Sequence, residues 1–209
     1  MSITFYFAPQ SNASRVHGSL IELGVPFEKV RVDIRIGEQK KPEFLALNPN
    51  GKVPTVVLDG TPMFESVAIQ IALGERYGVE RGLWPAPGTP ERLRALTWLV
   101  WGQVSLGAAI GRYLNNTSAY VPAAMHHAGQ AAAALKETRG LLDVLDARLA
   151  ESPYLAGEAF TLADLDVSAV LNWGFWASKI DGAAWPHIAA WRERNNARPA
   201  FQAVMAAER

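Results

Sequence analysis

The hydrophobic and polar positions follow two different patterns along the chain. Up to about residue 82, short apolar runs typical of β-strands alternate with stretches of helical period. Beyond residue 90 the strand signals vanish, and apolar residues recur at helical spacing. Residues 85–90 between them read PAPGTP and are rich in residues that end regular structure. The pattern therefore predicts an α/β domain at 1–82, a linker at 83–90 and an all-helical domain at 91–209.

The first region predicts strands and helices in the order βαβαββα. Gly24 is expected to end the first helix, because glycine tolerates the left-handed conformation that closes many helices. Asp59-Gly60 stands between two apolar runs and is a strong signal for a two-residue hairpin. The predicted strands cover residues 3–7, 27–34, 55–58 and 61–64, and the predicted helices cover 14–23, 42–47 and 67–77.

The second region predicts helices alone. Thr161 is followed three residues later by Asp164, which is typical of a capping box at the start of a helix. We interpret this motif as structural. The helices are predicted at residues 91–114, 122–150, from 162 onward, 185–195 and 197–207.

Composition and charge exclude several classes of function. The 209 residues are 49% hydrophobic, which is enough to form a substantial core. The 20 basic side chains balance the 20 acidic ones, so the chain has no electrostatic signature for nucleic acid or for an anionic membrane surface. The sequence shows neither a secretory signal nor an apolar run long enough to cross a membrane. We expect a soluble, cytoplasmic protein.

Cysteine is absent from the sequence. This excludes disulfides, thiolate metal ligands and a thiol nucleophile supplied by the protein. Any sulfur chemistry must therefore use the sulfur of a ligand. The four histidines show no metal-ligand spacing, and no metal site is predicted.

Two segments are suited to bind a small peptide that carries two carboxylates and one ammonium group. In the segment NPNGKVPT, a cis Val53-Pro54 bond would turn the Val53 N–H and C=O outward, toward an extended peptide. The alternative is an ordinary trans proline at a strand start. In the segment Phe64-Glu65-Ser66, Ser66 as N-cap favours a carboxylate and Glu65 favours an ammonium group. The alternative there is a plain helix cap beside a solvated acid.

Together these segments resemble the glutathione site of the soluble glutathione S-transferase family, and the resemblance covers essentially the whole chain. It implies a thioredoxin-like βαβαββα domain followed by an all-helical domain, glutathione as co-substrate and a homodimer. Lys52 is the candidate partner of the glycyl carboxylate, with Gln39, Lys40 and Lys41 of the preceding loop as rivals. Val67 departs from the family pattern, in which a polar residue often follows the Glu-Ser pair. The glutathione-binding residues implied by the resemblance are Gln39, Lys52, Val53, Pro54, Glu65 and Ser66.

The loop after the first strand is expected to hold the group that stabilises the glutathione thiolate. Its residues 11–15, SNASR, resemble the serine-type theta and delta classes of the family, in a bacterial-type protein. By that match Ser11 contacts the thiol, with Asn12 as the second choice and Tyr6 in the preceding strand as the third. The alternative is that Ser11, Asn12 and Ser14 all cap the next helix.

The electrophile is expected in a mostly apolar cleft between the two domains. Trp101, Arg112 and Tyr113 on the first long helix are the candidate residues. Aromatic residues at helical spacing also suit a protein core, and that alternative stays open.

The resemblance implies an enzyme that conjugates the glutathione thiolate to small hydrophobic electrophiles, or that catalyses a related isomerisation or dehalogenation. The second hypothesis is a binding or regulatory protein that keeps the fold and turns nothing over. A thiol-disulfide oxidoreductase of thioredoxin type is the third, and the absence of cysteine argues strongly against it.

Overall fold

A four-stranded mixed sheet organises the first part of the protein, in a computed structural model that describes residues 2–178 and 180–207. The strands follow the order β2-β1-β3-β4. β1 pairs in parallel with β2 and antiparallel with β3, and β3 pairs antiparallel with β4. The strands are β1 Ile3–Phe7, β2 Glu28–Arg31, β3 Thr55–Leu58 and β4 Thr61–Phe64.

Three helices accompany this sheet: α1 Ala13–Leu23, α2 Pro42–Leu45 and α3 Ser66–Leu73. A π-helical turn at Gly74–Gly78 continues α3. The order βαβαββα and the sheet topology confirm the predicted thioredoxin-like fold. The buried apolar side chains between sheet and helices include Phe5, Val16, Leu20, Val56, Ile69 and Leu73.

Strand β2 is shorter than the predicted 27–34, because the chain turns directly after it. The Val32 N–H still donates to the Phe7 carbonyl at 2.8 Å. At Asp33 the pairing ends, since one of its carboxylate oxygens accepts from the Arg35 N–H at 3.0 Å. The hairpin between β3 and β4 forms as predicted, with Asp59 at φ 48° and Gly60 at φ 84°.

A histidine is buried in the core of the first unit. The His17 ring lies 5.8 Å from the ring centre of Phe5 and 5.9 Å from that of Phe27. Burial, with a smaller contribution from the nearby charge of Lys29, lowers the pKa of His17 from 6.5 to about 4. His17 is therefore a neutral core residue at physiological pH.

Acidification should destabilise the protein through His17. Between pH 6.5 and about 4 the unfolded chain binds a proton at this residue and the folded chain does not. The free energy of unfolding should therefore fall as the pH drops through this window, by at most about 1.4 kcal/mol per pH unit. Urea midpoints measured across the window test this expectation. His17→Gln should flatten the slope and exposed His127→Gln should keep it, whereas equal slopes in all three proteins would contradict it.

The second part of the protein consists of helices around a common core. The chain passes between the two compact units at Pro85 and Ala86. The core of the second unit includes Leu106, Leu142, Leu145, Leu171, Ile188 and Trp191. The helices of this unit are α4 Pro90–Trp101, α5 Ala108–Asn115, α6 Ala128–Glu151, α7 Leu162–Ser178 and α8 Pro186–Asn196.

The single helix predicted at 91–114 is interrupted. A π-helical turn at Gly102–Gly107 separates α4 from α5. At Gly102 a Cβ atom would lie only 2.7 Å from the Val167 side chain of α7. The close approach of the two helices therefore requires glycine at this position, which periodicity alone does not reveal.

The last helix, α9 Pro199–Ala207, belongs to the first compact unit. Arg198 at its start forms a two-pronged ion pair with Glu22 of α1, with N···O distances of 2.5 and 2.9 Å. This differs from the predicted 91–209 grouping. The physical reason is that an amphipathic helix does not specify which apolar surface it covers.

The start of α7 is held by a fully buried carboxylate. Asp164 accepts hydrogen bonds from the Leu155 N–H, the Thr161 N–H, the Thr161 hydroxyl and the Trp191 indole, at 2.8 to 2.9 Å. Burial raises the pKa of Asp164, and the four hydrogen bonds oppose that shift. The acid of the predicted capping box thus also joins the helix to a loop and to α8.

No helix within residues 2–178 and 180–207 combines the length and the apolar character needed to cross a bilayer.

Candidate functional site

The loop after β1 and the segments before β3 and after β4 meet at one edge of the sheet. In the register, Tyr6 lies beside Thr55, and Thr55 lies beside Phe64. Because β3 is antiparallel to both neighbours, the chain leaves β1, enters β3 and leaves β4 at this same edge. The predicted thiol loop, Val53-Pro54 and Glu65-Ser66 therefore come together, although they are distant in sequence.

Ser11 uses its hydroxyl within its own loop. The hydroxyl donates to the Ala8 carbonyl at 2.7 Å, and its oxygen accepts from the Ala13 N–H at 3.2 Å. Ser14 donates in turn to the Ser11 carbonyl at 2.9 Å. Ser11 thus has the capping contact that the sequence offered as the alternative, whereas Ser14 donates to a carbonyl and does not cap the helix.

Asn12, like Gln10, is exposed in this loop. It occupies the N-cap position of α1, and its side chain makes no capping hydrogen bond. In the part of the chain that the structure describes, its amide group has no other hydrogen-bond partner. Asn12 is therefore free to donate to a ligand at the start of α1.

Tyr6 is half-buried, and its ring packs edge-on against Phe44 of α2 at 5.9 Å. The same packing holds α2 against the sheet. This contact gives Tyr6 a structural role, whichever group contacts the ligand.

The Val53-Pro54 peptide bond is cis, as expected. Within the described residues, neither the N–H nor the C=O of Val53 has a hydrogen-bond partner. Asn48 supports the segment, because its amide donates to the Lys52 carbonyl at 2.7 Å and to the Thr55 hydroxyl at 3.0 Å. Its position two residues before an Asn-Gly turn was the only sequence signal for this supporting role.

Gly51 is required by the same turn. It adopts φ 58°, and a Cβ atom there would lie 2.8 Å from the Gln39 carbonyl oxygen. Any larger residue would meet both the strained conformation and the neighbouring backbone. The turn thereby brings the Gln39 loop close to the segment before β3.

The start of α3 differs from the prediction by one residue. Glu65 is the N-cap residue, and Ser66 is the first residue of the helix. Glu65 adopts φ 68° and ψ 112°, a conformation that is strained for a residue with a side chain. Ser66 is buried, and the N–H groups from Ser66 to Ala68 are free for a ligand because α3 begins there, whereas the Ile69 N–H donates to the Glu65 carbonyl at 3.0 Å. Strain of this kind is common where a ligand is bound.

Lys52 and Gln39, two candidates for binding the glycyl carboxylate, differ in exposure and in hydrogen bonding. Lys52 is exposed, and no acidic group among the described residues forms an ion pair with it. The Gln39 amide nitrogen donates to the Ile34 carbonyl at 3.2 Å, while its oxygen is buried with no partner in residues 2–178 and 180–207. Lys52 is thus the better placed of the two for an anion.

The predicted electrophile residues all lie in the second unit. Trp101 packs edge-on against Trp98 at 4.9 Å, and both rings pack against the helical core. Tyr113 packs against the same core. Arg112 forms an ion pair with Glu137 at 2.5 Å. The aromatic contacts are those of the core alternative, whereas the Arg112 ion pair lies at the surface.

Within residues 2–178 and 180–207, no group of three or more histidine and acidic side chains is placed to hold a metal ion.

Comparison with known proteins agrees with this geometry. The sequence matches the family model "Glutathione S-transferase, N-terminal domain" over residues 1–71 and "Glutathione S-transferase, C-terminal domain" over residues 116–199. Glutathione S-transferase 3 of Zea mays is 36% identical, over 98% of this chain and 94% of its own length. The chain belongs to the glutathione S-transferase family. The family assignment covers both compact units.

Two further relatives of this glutathione S-transferase bear on its chemistry. Disulfide-bond oxidoreductase YfcG of Escherichia coli (strain K12) is 34% identical, over 99% of this chain and 96% of that protein. The solved structure of a sphingomonad glutathione S-transferase complexed with glutathione has a TM-score of 0.84 and 31% identity, with 98% of each chain covered.

Proposed function

We propose that this protein binds glutathione at the sheet edge described above and transfers its thiolate to small hydrophobic electrophiles. The observation that carries the proposal is the unpaired Val53 backbone beside the free start of α3. An extended peptide can pair with Val53 as an added strand does. The solved glutathione complex of a similar protein supports this choice of peptide.

The γ-glutamyl end of glutathione carries a carboxylate and an ammonium group side by side. The free N–H groups at the start of α3 and the Ser66 hydroxyl bind the carboxylate in this proposal. The Glu65 carboxylate binds the ammonium group, and Lys52 binds the glycyl carboxylate at the other end.

Calorimetry of the Ser66→Ala variant tests the head-group assignment. Loss of one hydrogen bond to a charged group should weaken glutathione binding by about 10-fold or more. Ser152→Ala is the matched control, because the Ser152 hydroxyl donates to the Tyr154 carbonyl in the second unit, and this variant should bind glutathione like the wild type. An unchanged affinity in Ser66→Ala would remove Ser66 from the site, and no binding by the wild-type protein would remove the proposed function.

Thiolate stabilisation requires a modest amount of free energy. Lowering the pKa of the glutathione thiol from about 8.5 by two units requires about 2.7 kcal/mol of preference for the anion. A hydrogen bond to a charged group supplies about 1.5–3 kcal/mol. We propose that the Asn12 amide is the donor, helped by the positive partial charge at the start of α1. Ser11 instead holds the loop, since its proton is committed to Ala8.

Reduction of disulfides is the second candidate function, because a relative of 34% identity is named a disulfide-bond oxidoreductase. The absence of cysteine does not exclude this reaction when glutathione supplies both thiols. One glutathione thiolate attacks the substrate disulfide and forms a mixed disulfide. The substrate thiolate that is released takes up the proton that the glutathione thiol has lost. A second glutathione thiolate then attacks the mixed disulfide at the glutathione sulfur, and oxidised glutathione and the second substrate thiol leave. Comparing turnover of an aryl halide with that of a small disulfide separates the two candidates.

We propose a homodimer in which an apolar stripe on α4 and the following π turn meets a second copy. Leu93, Val100 and Val104 are 69%, 43% and 67% exposed and recur at helical spacing. Sedimentation of the purified protein measures the assembly.

We place the activity in the cytoplasm, because the proposed chemistry needs reduced glutathione, which that compartment maintains.

A further inference from the structure

A cavity borders the thiol loop within the first unit. Its volume is about 400 Å³, and it is lined by Ala8, Pro9 and Gln10, by residues 31–35 and by Ala207 at the end of α9. Phe7 lies beside Arg31 in the parallel register of β1 and β2, so both chain segments leave the sheet at the same edge. Ligands of open α/β sheets bind at the carboxyl ends of strands. The cavity thus adjoins the segment that leads to Ser11 and Asn12.

Of the charged side chains that line this cavity, Asp33 and Arg35 form an ion pair with each other. The Asp33 carboxylate accepts from the Arg35 N–H at 3.0 Å and lies 3.6 Å from the Arg35 guanidinium. Its hydrogen bond from the Arg35 backbone, together with the neighbouring positive charges, keeps the pKa of Asp33 below its usual value. Arg31 is exposed, and among the described residues its guanidinium has no hydrogen bond and no ion pair.

The cavity therefore offers one guanidinium, that of Arg31, which contributes to the lowered pKa of Asp33 but has no hydrogen bond or ion pair among the described residues. A planar guanidinium binds a carboxylate through two parallel N–H···O hydrogen bonds, which gives both affinity and orientation. The volume falls in the range of about 300–1,000 Å³ that is usual for small-molecule sites. Pro9 and Ala8 provide an apolar wall for the remainder of such a molecule.

We propose that this cavity binds the second substrate and selects molecules that carry a carboxylate, with Arg31 as the residue that recognises the anion. The inference rests on the proposed glutathione chemistry and specifies its co-substrate. The carboxylate belongs either to an acidic electrophile or disulfide, or to a second glutathione. In each case the anion is held at Arg31 while the reacting atom faces the thiol loop.

Steady-state kinetics with a matched pair of electrophiles tests the proposal. A chloronitrobenzoate and the corresponding chloronitrobenzamide differ only in the charge of one group. In Arg31→Gln the KM for the benzoate should rise by about 10-fold or more, because a charge-assisted hydrogen bond is lost. The KM for the benzamide should stay within about twofold, since no charge is involved. Arg31→Lys should restore part of the preference, and exposed Arg139→Gln in the second unit should leave both KM values unchanged.

An equal effect of Arg31→Gln on both electrophiles, or none, would overturn the proposal. Calorimetry keeps it separate from the proposed function. If neither electrophile is turned over, the binding of an unreactive methylnitrobenzoate is compared between the wild type and Arg31→Gln. Weaker binding by Arg31→Gln supports the site, and equal binding overturns it. If the wild type binds two glutathione molecules per chain and Arg31→Gln binds one, the site is supported, and the carboxylate bound at Arg31 is that of a second glutathione. If both proteins bind one glutathione and the KM for the benzoate rises in Arg31→Gln, the site is supported, and the carboxylate bound at Arg31 is that of the co-substrate.

Discussion

Replacing Asn12 by alanine is expected to lower kcat/KM for a general aryl electrophile by about 10- to 100-fold. The loss follows from removing the hydrogen-bond donor that, in our proposal, stabilises the thiolate. Glutathione affinity should stay within about twofold at pH 6, because the peptide contacts at Val53 and Ser66 remain, and it should fall by about fourfold at pH 7, because the two-unit pKa shift is lost. The pKa of bound glutathione, followed by the ultraviolet absorbance of the thiolate, should move back toward about 8.5.

Ser11→Ala is the matched comparison for Asn12→Ala, one residue away in the same loop. Its hydroxyl contacts Ala8 and Ala13, so its removal should affect the stability of the loop more than the pKa of the bound thiol. Tyr6→Phe should change neither, because the ring contact with Phe44 is kept. A thiol pKa that rises in Ser11→Ala and not in Asn12→Ala would reverse the assignment and restore the serine-type interpretation.

Replacing Asp164 by alanine is expected to cost about 3–5 kcal/mol of stability. Four hydrogen bonds end on this fully buried carboxylate. Its removal leaves the Leu155 and Thr161 N–H groups and the Trp191 indole buried without an acceptor, and each such group costs about 1–3 kcal/mol. The start of α7, a loop and α8 should loosen together. Thermal and urea unfolding followed by circular dichroism measure the loss.

Asp181→Ala is the control for Asp164→Ala. Asp181 also accepts a backbone N–H, that of Ala183 at 3.0 Å, but it is exposed. Water can replace its hydrogen bond, so a loss of about 1 kcal/mol or less is expected. Trp191→Phe removes one of the four donors and should fall between the two variants. A smaller loss for Asp164→Ala than for Asp181→Ala would falsify this account of the buried carboxylate.

The candidate site was predictable from the sequence wherever its parts are local. The breaker-rich segment before Val53 and the Asp59-Gly60 hairpin are short signals, and the structure confirms the cis bond and the turn. The position of Ser66 was wrong by one residue, because Glu65 adopts a strained conformation that no propensity favours. The resemblance favoured Ser11 over Asn12 as the thiol contact, but both are good capping residues and only their hydrogen bonds in the structure distinguish them.

No local sequence pattern predicts the cavity beside Arg31. Arg31 and Pro9 are 22 positions apart, and they line one cavity because β1 and β2 run in parallel and end together. A sequence pattern describes each strand, but it does not state what its end will face.

The sequence by itself determined the order of strands and helices and the chemistry available to the protein. Periodicity, turn residues and the absence of cysteine act within a few positions, so they need no knowledge of the fold. The tertiary structure alone decided that α9 packs with the sheet domain, that a π turn divides the predicted long helix at Gly102, and that Asn12 keeps a free amide. These outcomes depend on which distant groups come within contact or hydrogen-bond distance, and that is settled only when the chain has folded.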